Sequence, residues 1–279
     1  MSFAQINGIN LAYDVQGSGP PLLLVTGLGG YMAGWRAQIP ALAARHQVIF
    51  FDNRGAGESD QPPGPYTMTQ LAADAVGLLD YLGIESAHIF GVSMGGMIAQ
   101  HIALDWPERV RGLILGCTMC CFAEYVFADP SVMEWLMPGQ PRTREEIVRS
   151  GISICFSSGF LQSYPDIVDE YVQIALQMQQ REDAYLGQLT AIMGHTACAR
   201  LEALTAPTLV IHGTDDILIP VANGRLLAQR VPGARLLEIE GAGHLFFIEQ
   251  PELTNQAVLD FLAEIDRSSA DLQLQTGNA

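Results

Sequence analysis

The sequence predicts an α/β fold with a mostly parallel, doubly wound sheet, an N-terminal hairpin and an inserted helical cap. Short apolar runs alternate along the chain with segments of helical period, as in parallel sheets whose strands are buried on both faces. The alternation stops after Cys117 and resumes at Thr208, which indicates an insertion between two strands. A chain of 279 residues is long enough for one core with an inserted lobe, without disulfide or metal support.

The first predicted element is a β-hairpin, because Asn7-Gly8 is a type I′ turn signal that separates two short apolar runs, 3–6 and 9–13. Short apolar runs between turn residues predict the later strands, at 22–25, 47–51, 87–90, 112–116, 208–212 and 235–239. Helical spacing of apolar residues predicts the helices of the core, at 35–45, 68–82, 94–103, 221–230 and 253–265.

The break in the alternation divides the chain into three parts. We assign residues 1–118 and 206–266 to the core, 119–205 to a helical cap and 267–279 to a flexible polar tail. The cap shows helical patches and no strand pattern, the patches lying at 144–150, 167–180 and 184–193. Its methionine and aromatic side chains are expected to form mostly its own core, with bulky residues such as Trp135 and Phe156 shaping a pocket.

The amino-acid composition argues against several classes of function. The formal net charge of −16 disfavours nucleic acid and anionic membrane surfaces as partners. All basic residues are arginine, which excludes lysine Schiff bases and a Walker-A lysine. Five cysteines argue against a secreted disulfide framework, and residues 1–10 show no signal-peptide pattern. The longest apolar run, 112–123, is too short to span a membrane, so we expect a cytoplasmic protein.

The strongest local motif is Gly91-Val92-Ser93-Met94-Gly95, which lies between a predicted strand and a predicted helix. A serine exposed on such a sharp turn has a strained backbone, and side chains two positions away on either side would collide. Glycine at both positions removes this collision, and the following helix directs its positive N-terminal end toward the serine. Ser93 is therefore the candidate nucleophile.

A nucleophilic serine needs a base to take its proton. His244 follows the last predicted strand, which is the place for the base if the chain order is serine, acid, histidine. His212 at a strand end and His195 in the cap are alternatives for which structural roles are favoured. The remaining histidines are interpreted as structural or exposed, namely His46, His88 and His101.

The base in turn needs an acid that orients it. Asp215 and Asp216 follow the strand 208–212, and loops at the carboxyl ends of parallel strands are where open α/β sheets place their sites. Adjacent aspartates cannot both face one histidine. The residues alone leave the choice open, and we expect the unused aspartate to cap the next turn.

Six segments match a known family pattern: LLLVTGLGG at 22–30, DNRGAGES at 52–59, GVSMGG at 91–96, PTLVIHGTDDILIP at 207–220, AGH at 242–244 and EQPE at 249–252. Together they resemble the α/β-hydrolase superfamily, and within it the capped hydrolases that include 3-oxoadipate enol-lactonases and related carboxylesterases. The resemblance covers nearly the whole core and leaves out the cap. It implies an α/β-hydrolase fold.

The resemblance also implies a catalytic triad. Ser93 matches the family's nucleophile and His244 its base. The family pattern Gly-x-x-Asp-x-x-x-Pro fits residues 213–220, which selects Asp216 over Asp215 as the acid.

An oxyanion hole is implied by the same resemblance, formed by the backbone N–H groups of Leu28 and Met94. Here the sequence departs from the family, which commonly has His-Gly where this chain has Thr26-Gly27. Since the donors are main-chain groups, we expect the hole to be kept and the side-chain support of its loop to differ.

We expect a cofactor-free serine hydrolase that cleaves small-molecule carboxylic esters or lactones with an apolar acyl or alcohol part, with no metal and with the oligomeric state left open. A carbon–carbon bond hydrolase or a cofactor-free haloperoxidase or perhydrolase would use the same triad. A ligand-binding receptor on the same scaffold is an alternative from a different class.

The sequence contains no complete Gly-x-Gly-x-x-Gly fingerprint for a dinucleotide, and no two histidines have metal-ligand spacing. We expect Cys117, Cys120 and Cys121 only to pack.

Overall fold

The computed structural model describes residues 1–132 and 143–276, with side chains described as far as Ser268. Eight strands form one sheet in the order β1-β2-β4-β3-β5-β6-β7-β8. The strands are β1 Ser2–Ile6, β2 Ile9–Gln16, β3 Pro21–Val25, β4 Gln47–Phe51, β5 Ala87–Val92, β6 Val110–Gly116, β7 Thr208–Gly213 and β8 Arg235–Ile239. β2 pairs antiparallel with β1 and β4, and the other neighbours pair in parallel. The predicted fold class is confirmed.

Helices connect the strands. They are α1 Ile39–Ala43, α2 Met68–Tyr81, α3 Met94–Asp105, α4 Arg144–Cys155, α5 Ser158–Ser163, α6 Pro165–Gln177, α7 Glu182–Met193, α8 Ala222–Arg230, α9 Phe246–Glu249 and α10 Pro251–Thr276. Their starts follow local chemistry: Thr67 accepts a hydrogen bond from the backbone of Gln70, and Thr143 forms a capping box with Glu146.

The N-terminal hairpin has the predicted turn. Asn7 and Gly8 have φ values of 49° and 79°, as a type I′ turn requires at both central positions. The turn sets Ile6 opposite Ile9 and thereby fixes the register of β1 on β2.

Two predicted helices have different bounds in the structure. The segment 35–45 is not one helix but a 3₁₀ turn, Met32–Trp35, followed by α1, because Pro40 lacks the N–H that a longer helix would need. The last helix, expected to end at residue 265, continues to Thr276 into the segment 267–279 that we expected to be a flexible tail. No proline or glycine occurs between Glu252 and Thr276 to end it earlier.

Side chains of the buried strands alternate between two apolar layers. In β3, Leu23 and Val25 join the layer formed with α2 and α3, whereas Leu22 and Leu24 join the layer formed with α10. Strands buried on both faces are what the uninterrupted apolar runs indicated. No helix in the described part of the chain is long and apolar enough to cross a membrane.

The insertion leaves the sheet after β6 and returns before β7. Four helices, α4 to α7, make up most of its described part. An isolated antiparallel bridge joins Cys121 to Thr196, so the two ends of the insertion meet beside the sheet. This bridge places Cys121 against Cys198, and the two form a disulfide across 77 residues of sequence. The expectation that Cys121 only packs is therefore wrong, whereas Cys117 and Cys120 are free and buried.

A buried ion pair fastens the loop after β4 to the hairpin and to α2. Arg54 Nε donates to Asp74 Oδ2 at 2.7 Å and Arg54 Nη2 donates to Asp74 Oδ1 at 2.8 Å. Asn7 Nδ2 also donates to Asp74, at 2.9 Å. Both charged side chains are almost completely buried, so each depends on the other for its charge partner and for two hydrogen bonds.

We expect Asp74→Ala to lower the free energy of unfolding by about 3–5 kcal/mol, because it leaves the Arg54 guanidinium buried without its partner. The double variant Arg54→Met/Asp74→Leu removes both charges and should lose less. Urea denaturation of the three proteins measures the difference. A loss below about 1 kcal/mol for Asp74→Ala would contradict the dependence on this pair.

Candidate active site

Ser93 lies between the end of β5 and the start of α3, with φ 56° and ψ −123°. A non-glycine residue with positive φ is strained, and such strain is typical of functional turns. A Cβ at Gly91 would overlap the carbonyl oxygen of Gly95, and a Cβ at Gly95 would overlap that of Val25. The two glycines are therefore required by the close approach of the backbone, as the motif predicted.

Asp216 and His244 contact each other, and His244 lines the same cavity as Ser93. His244 Nδ1 lies 2.8 Å from Asp216 Oδ2, and both side chains are buried. Asp215 instead is exposed and accepts a hydrogen bond from Thr214 Oγ1. The structure thus brings Asp216, and not Asp215, to His244.

The expectation that the unused aspartate caps the next turn is wrong. Asp216 itself makes those contacts, since its Oδ1 accepts the backbone N–H groups of Leu218 and Ile219 at 2.9 and 2.8 Å. The two oxygens of the carboxylate therefore have different roles, because Oδ1 holds the loop and Oδ2 faces the histidine.

A second histidine contacts the same carboxylate. His212 Nε2 lies 3.3 Å from Asp216 Oδ2 and 2.7 Å from the carbonyl oxygen of Ile219. Both oxygens can only accept, so Nε2 carries the proton. Burial alone would raise the pKa of Asp216, but the charge of His244 and the hydrogen bonds from both histidines outweigh it and lower the pKa to about 2. The sequence analysis gave His212 only a structural role. Its position at the end of the strand that precedes Asp216 was the feature that could have indicated a contact with this carboxylate.

The loop after β3, residues 26–31, passes directly beside Ser93. A Cβ at Gly27 would lie 2.9 Å from the Ser93 Cβ, so only glycine allows the backbone this close. Leu28, whose N–H is an expected oxyanion donor, lines the same cavity as Ser93. Met94, the other expected donor, is the first residue of α3, where backbone N–H groups have no partner within the helix.

Hydrogen bonds from two sides support this loop. Asn53 Nδ2 donates to the Thr26 carbonyl at 3.0 Å and to Thr26 Oγ1 at 3.2 Å, so the threonine that replaces the family's histidine is itself held in place. From α7 of the insertion, Gln188 Oε1 accepts the N–H of Gly29 at 3.0 Å. Gln188 was not singled out in the sequence, because no local pattern distinguishes a buried glutamine of this kind.

A buried carboxylate joins the insertion to the loop that carries His244. Glu249 Oε1 accepts the N–H of Gly243 at 3.0 Å and that of Ser157 at 2.8 Å, and its Oε2 accepts Ser157 Oγ at 2.7 Å. A Cβ at Gly243 would collide with the backbone at Ser157. The position of His244 thus depends on the insertion as well as on the sheet.

The other singled-out histidines lie elsewhere. His195 is buried against the ring of His101, with 5.4 Å between ring centroids, and burial lowers its pKa to about 3. It is not among the described residues that line the cavity.

His46, His88 and Asp266 have potential metal-binding atoms within 4.8 Å of one another, which the sequence spacing did not suggest. However, Arg111 donates to the same carboxylate at 2.8 Å, which fits an ion pair better than a cation site.

Ser93 and His244 open into a cavity of about 370 Å³. One wall comes from the core and includes Leu28, Trp35 and Val92. The insertion contributes a second part of the lining, made by Met119, Phe122, Tyr125, Ile152, Cys155, Tyr171, Ala175, Tyr185, Leu189, Ile192 and Met193.

Two bulky residues of the insertion were expected to shape this pocket. Phe156 is not among the residues that line the cavity; it stacks on Phe160 with 4.9 Å between ring centroids and belongs to the apolar layer that also contains Leu22 and Leu24. Trp135 lies outside the described residues.

Comparison with known proteins gives consistent matches. A family model for the alpha/beta hydrolase fold matches residues 20–251. A protein assigned as the carbamate hydrolase RutD of Azorhizobium caulinodans is 32% identical over 96% of this chain and 100% of its own length. The 3-oxoadipate enol-lactonase 2 of Acinetobacter baylyi is 31% identical over 91% of this chain and 93% of its own. A hydrolase structure from Pseudomonas aeruginosa has a TM-score of 0.83 and 32% identity, covering 94% of this chain and 97% of that one.

The geometry predicts that Asp216 and not Asp215 supports the reactivity of Ser93. Asp216→Asn should slow labelling of Ser93 by an organophosphonate by roughly 10²–10⁴-fold, because an amide favours the wrong histidine tautomer. Asp215→Asn, the matched control, should change the rate by less than about tenfold, since this side chain is exposed. Rates measured on folded variants decide the matter, and a slow Asp215→Asn with a normal Asp216→Asn would reverse the assignment.

The labelling rate should also have one acid limb. The reaction needs a neutral base to accept the Ser93 proton, so the labelling rate measured from about pH 8 to 5 should fall toward low pH with unit slope. Asp216 should add no second limb above about pH 3, because its pKa is lowered to about 2. Labelling rates across this range provide the measurement. A slope of two above pH 4 would show that the carboxylate also titrates there.

Proposed function

The chain belongs to the α/β-hydrolase fold family, and from that premise we propose that it is a cofactor-free serine hydrolase that cleaves carboxylic esters or lactones through an acyl-enzyme. The observation that carries the proposal is the hydrogen bond of 2.8 Å between His244 and the ionised Asp216, at a cavity that Ser93 and His244 share. The names of the two relatives denote a carbamate and a lactone, so likeness alone leaves the bond type open.

In the first step, Ser93 Oγ attacks the carbonyl carbon of the substrate. His244 Nδ1 is engaged with Asp216, which leaves Nε2 to accept the serine proton. The negative charge that develops on the carbonyl oxygen is stabilised by the N–H groups of Leu28 and Met94, and each such donor typically lowers the barrier by about 3–4 kcal/mol. Return of the proton from His244 to the alcohol oxygen releases the alcohol and leaves the acyl group on Ser93.

In the second step, water replaces the alcohol. His244 takes a proton from the water, whose oxygen attacks the acyl carbon through the same oxyanion arrangement. Collapse of the intermediate breaks the bond to Ser93 Oγ, which recovers its proton from His244. The acid product is released, and no metal, electron carrier or bound cofactor takes part in this scheme.

We further propose that the insertion sets the shape of the substrate. Support comes from the cavity wall, to which helices α4, α6 and α7 contribute apolar side chains, including Ile152, Ala175 and Leu189. The contacts of Gln188 with Gly29, and of Ser157 with Glu249, link that wall to both halves of the reaction centre.

The proposal predicts that purified protein hydrolyses p-nitrophenyl butanoate and that Ser93→Ala lowers kcat by roughly 10³-fold or more, since the nucleophile is lost. Peptide mass mapping after organophosphonate treatment should find the label on Ser93 alone. Circular dichroism of Ser93→Ala controls for folding.

Two outcomes would overturn the proposal. Labelling of another residue, or turnover that persists in Ser93→Ala, would exclude the serine mechanism. Tight binding of the ester without turnover by the wild-type chain would favour a receptor on this scaffold.

A further inference from the structure

The described part of the cavity wall contains no fixed cation. Among the described residues that line the cavity there is no arginine, aspartate or glutamate, and the chain has no lysine. The described wall consists instead of aliphatic, aromatic, methionine and cysteine residues, Thr26 and several glycines around Ser93 and His244. A volume of about 370 Å³ lies near the lower end of the roughly 300–1,000 Å³ typical of small-molecule sites.

The hydroxyl groups of two tyrosines in the wall, Tyr31 and Tyr125, provide polar but uncharged groups. Tyr125 Oη donates to the Leu218 carbonyl at 2.7 Å. Burial raises the pKa values of Tyr31 and Tyr125 to about 12, so these phenols are uncharged near neutral pH. Arg36 is not among the described residues that line the cavity; its guanidinium lies 4.0 Å from the centre of the Tyr171 ring and forms an ion pair with Glu170 at 2.9 Å.

The fixed charge next to the reacting atoms is negative. Asp216 is fully buried, and its ionised carboxylate lies behind His244. A substrate carboxylate placed in this cavity would lose its hydration, find no cation among the described wall residues and be repelled by Asp216. An apolar acyl chain of the same length has no charge to desolvate, and its burial in the cavity is favourable.

We propose that this site takes uncharged esters or lactones with a hydrocarbon acyl part, and that it rejects acyl chains bearing a second carboxylate. This inference rests on the serine-hydrolase function proposed above. It separates substrates of one bond type by charge, through the uncharged described wall together with the negative charge of Asp216.

A matched pair of substrates tests it: p-nitrophenyl hexanoate and the mono-p-nitrophenyl ester of adipic acid. They share leaving group and chain length and differ in the terminal methyl or carboxylate. We expect kcat/KM to be roughly 10²-fold lower for the adipate ester, because the desolvation of an unpaired charge opposes its binding. The methyl ester of the same adipate, which is neutral but longer, should recover most of the rate if charge is the cause.

A charge added to the wall should reverse the discrimination. Ile192 lies on α7, lines the cavity and is only partly buried, so an arginine there can fold with its guanidinium near water. Ile192→Arg should raise the ratio of kcat/KM for adipate over hexanoate by tenfold or more. Ile192→Gln, polar but uncharged, should leave the ratio within about threefold of wild type.

The outcomes separate this inference from the proposed function. If both esters are hydrolysed by wild type with kcat/KM values within tenfold, the charge selection is wrong and the serine mechanism stands. If neither ester is hydrolysed and Ser93 is not labelled by the organophosphonate, the proposed function itself fails. Equal effects of Ile192→Arg and Ile192→Gln on the ratio would also overturn the assignment to charge.

Discussion

The site depends on one buried carboxylate, Asp216. Four donors satisfy it: the N–H groups of Leu218 and Ile219 on one oxygen, and the rings of His212 and His244 on the other. Among the described residues no arginine contributes, and the chain has no lysine. Because neutral donors and histidine rings alone keep this group ionised, the charge is available to orient and stabilise His244 without a permanent cation to cancel it. The same charge makes the neighbouring cavity a poor place for a second anion.

The parallel sheet explains how distant segments meet. Ser93 follows β5 and Asp216 follows β7, with β6 between these strands, and all three run in the same direction. Parallel strands end at the same edge of the sheet, so their following loops face one space. The glycines at 91 and 95 then allow the chain to turn sharply enough to present Ser93 there.

The insertion is part of the site's support as well as one wall of its cavity. Gln188 holds the loop that carries Leu28, and Ser157 shares Glu249 with the loop that carries His244. Changes in the insertion can therefore reach the loops of Leu28 and His244 through hydrogen bonds, in addition to changing the shape of the cavity. The disulfide between Cys121 and Cys198 and the bridge beside it join the two ends of this segment.

The sequence by itself determined the sheet, the hairpin and the short list of candidate residues, because turn chemistry and apolar periodicity act over a few neighbouring positions. Ser93 could be identified because the two glycines that mark its turn lie only two positions away on either side. The choice between Asp215 and Asp216 needed the family pattern. Only the tertiary structure decided that Asp216 also holds its own loop, that His212 shares it and that Gln188 and Glu249 support the site. It also decided that Phe156 packs away from the cavity and that Cys121 meets Cys198. These contacts join residues that are far apart in the chain. The path of the backbone through the fold decides which residues meet, and a pattern of neighbouring residues cannot predict that path.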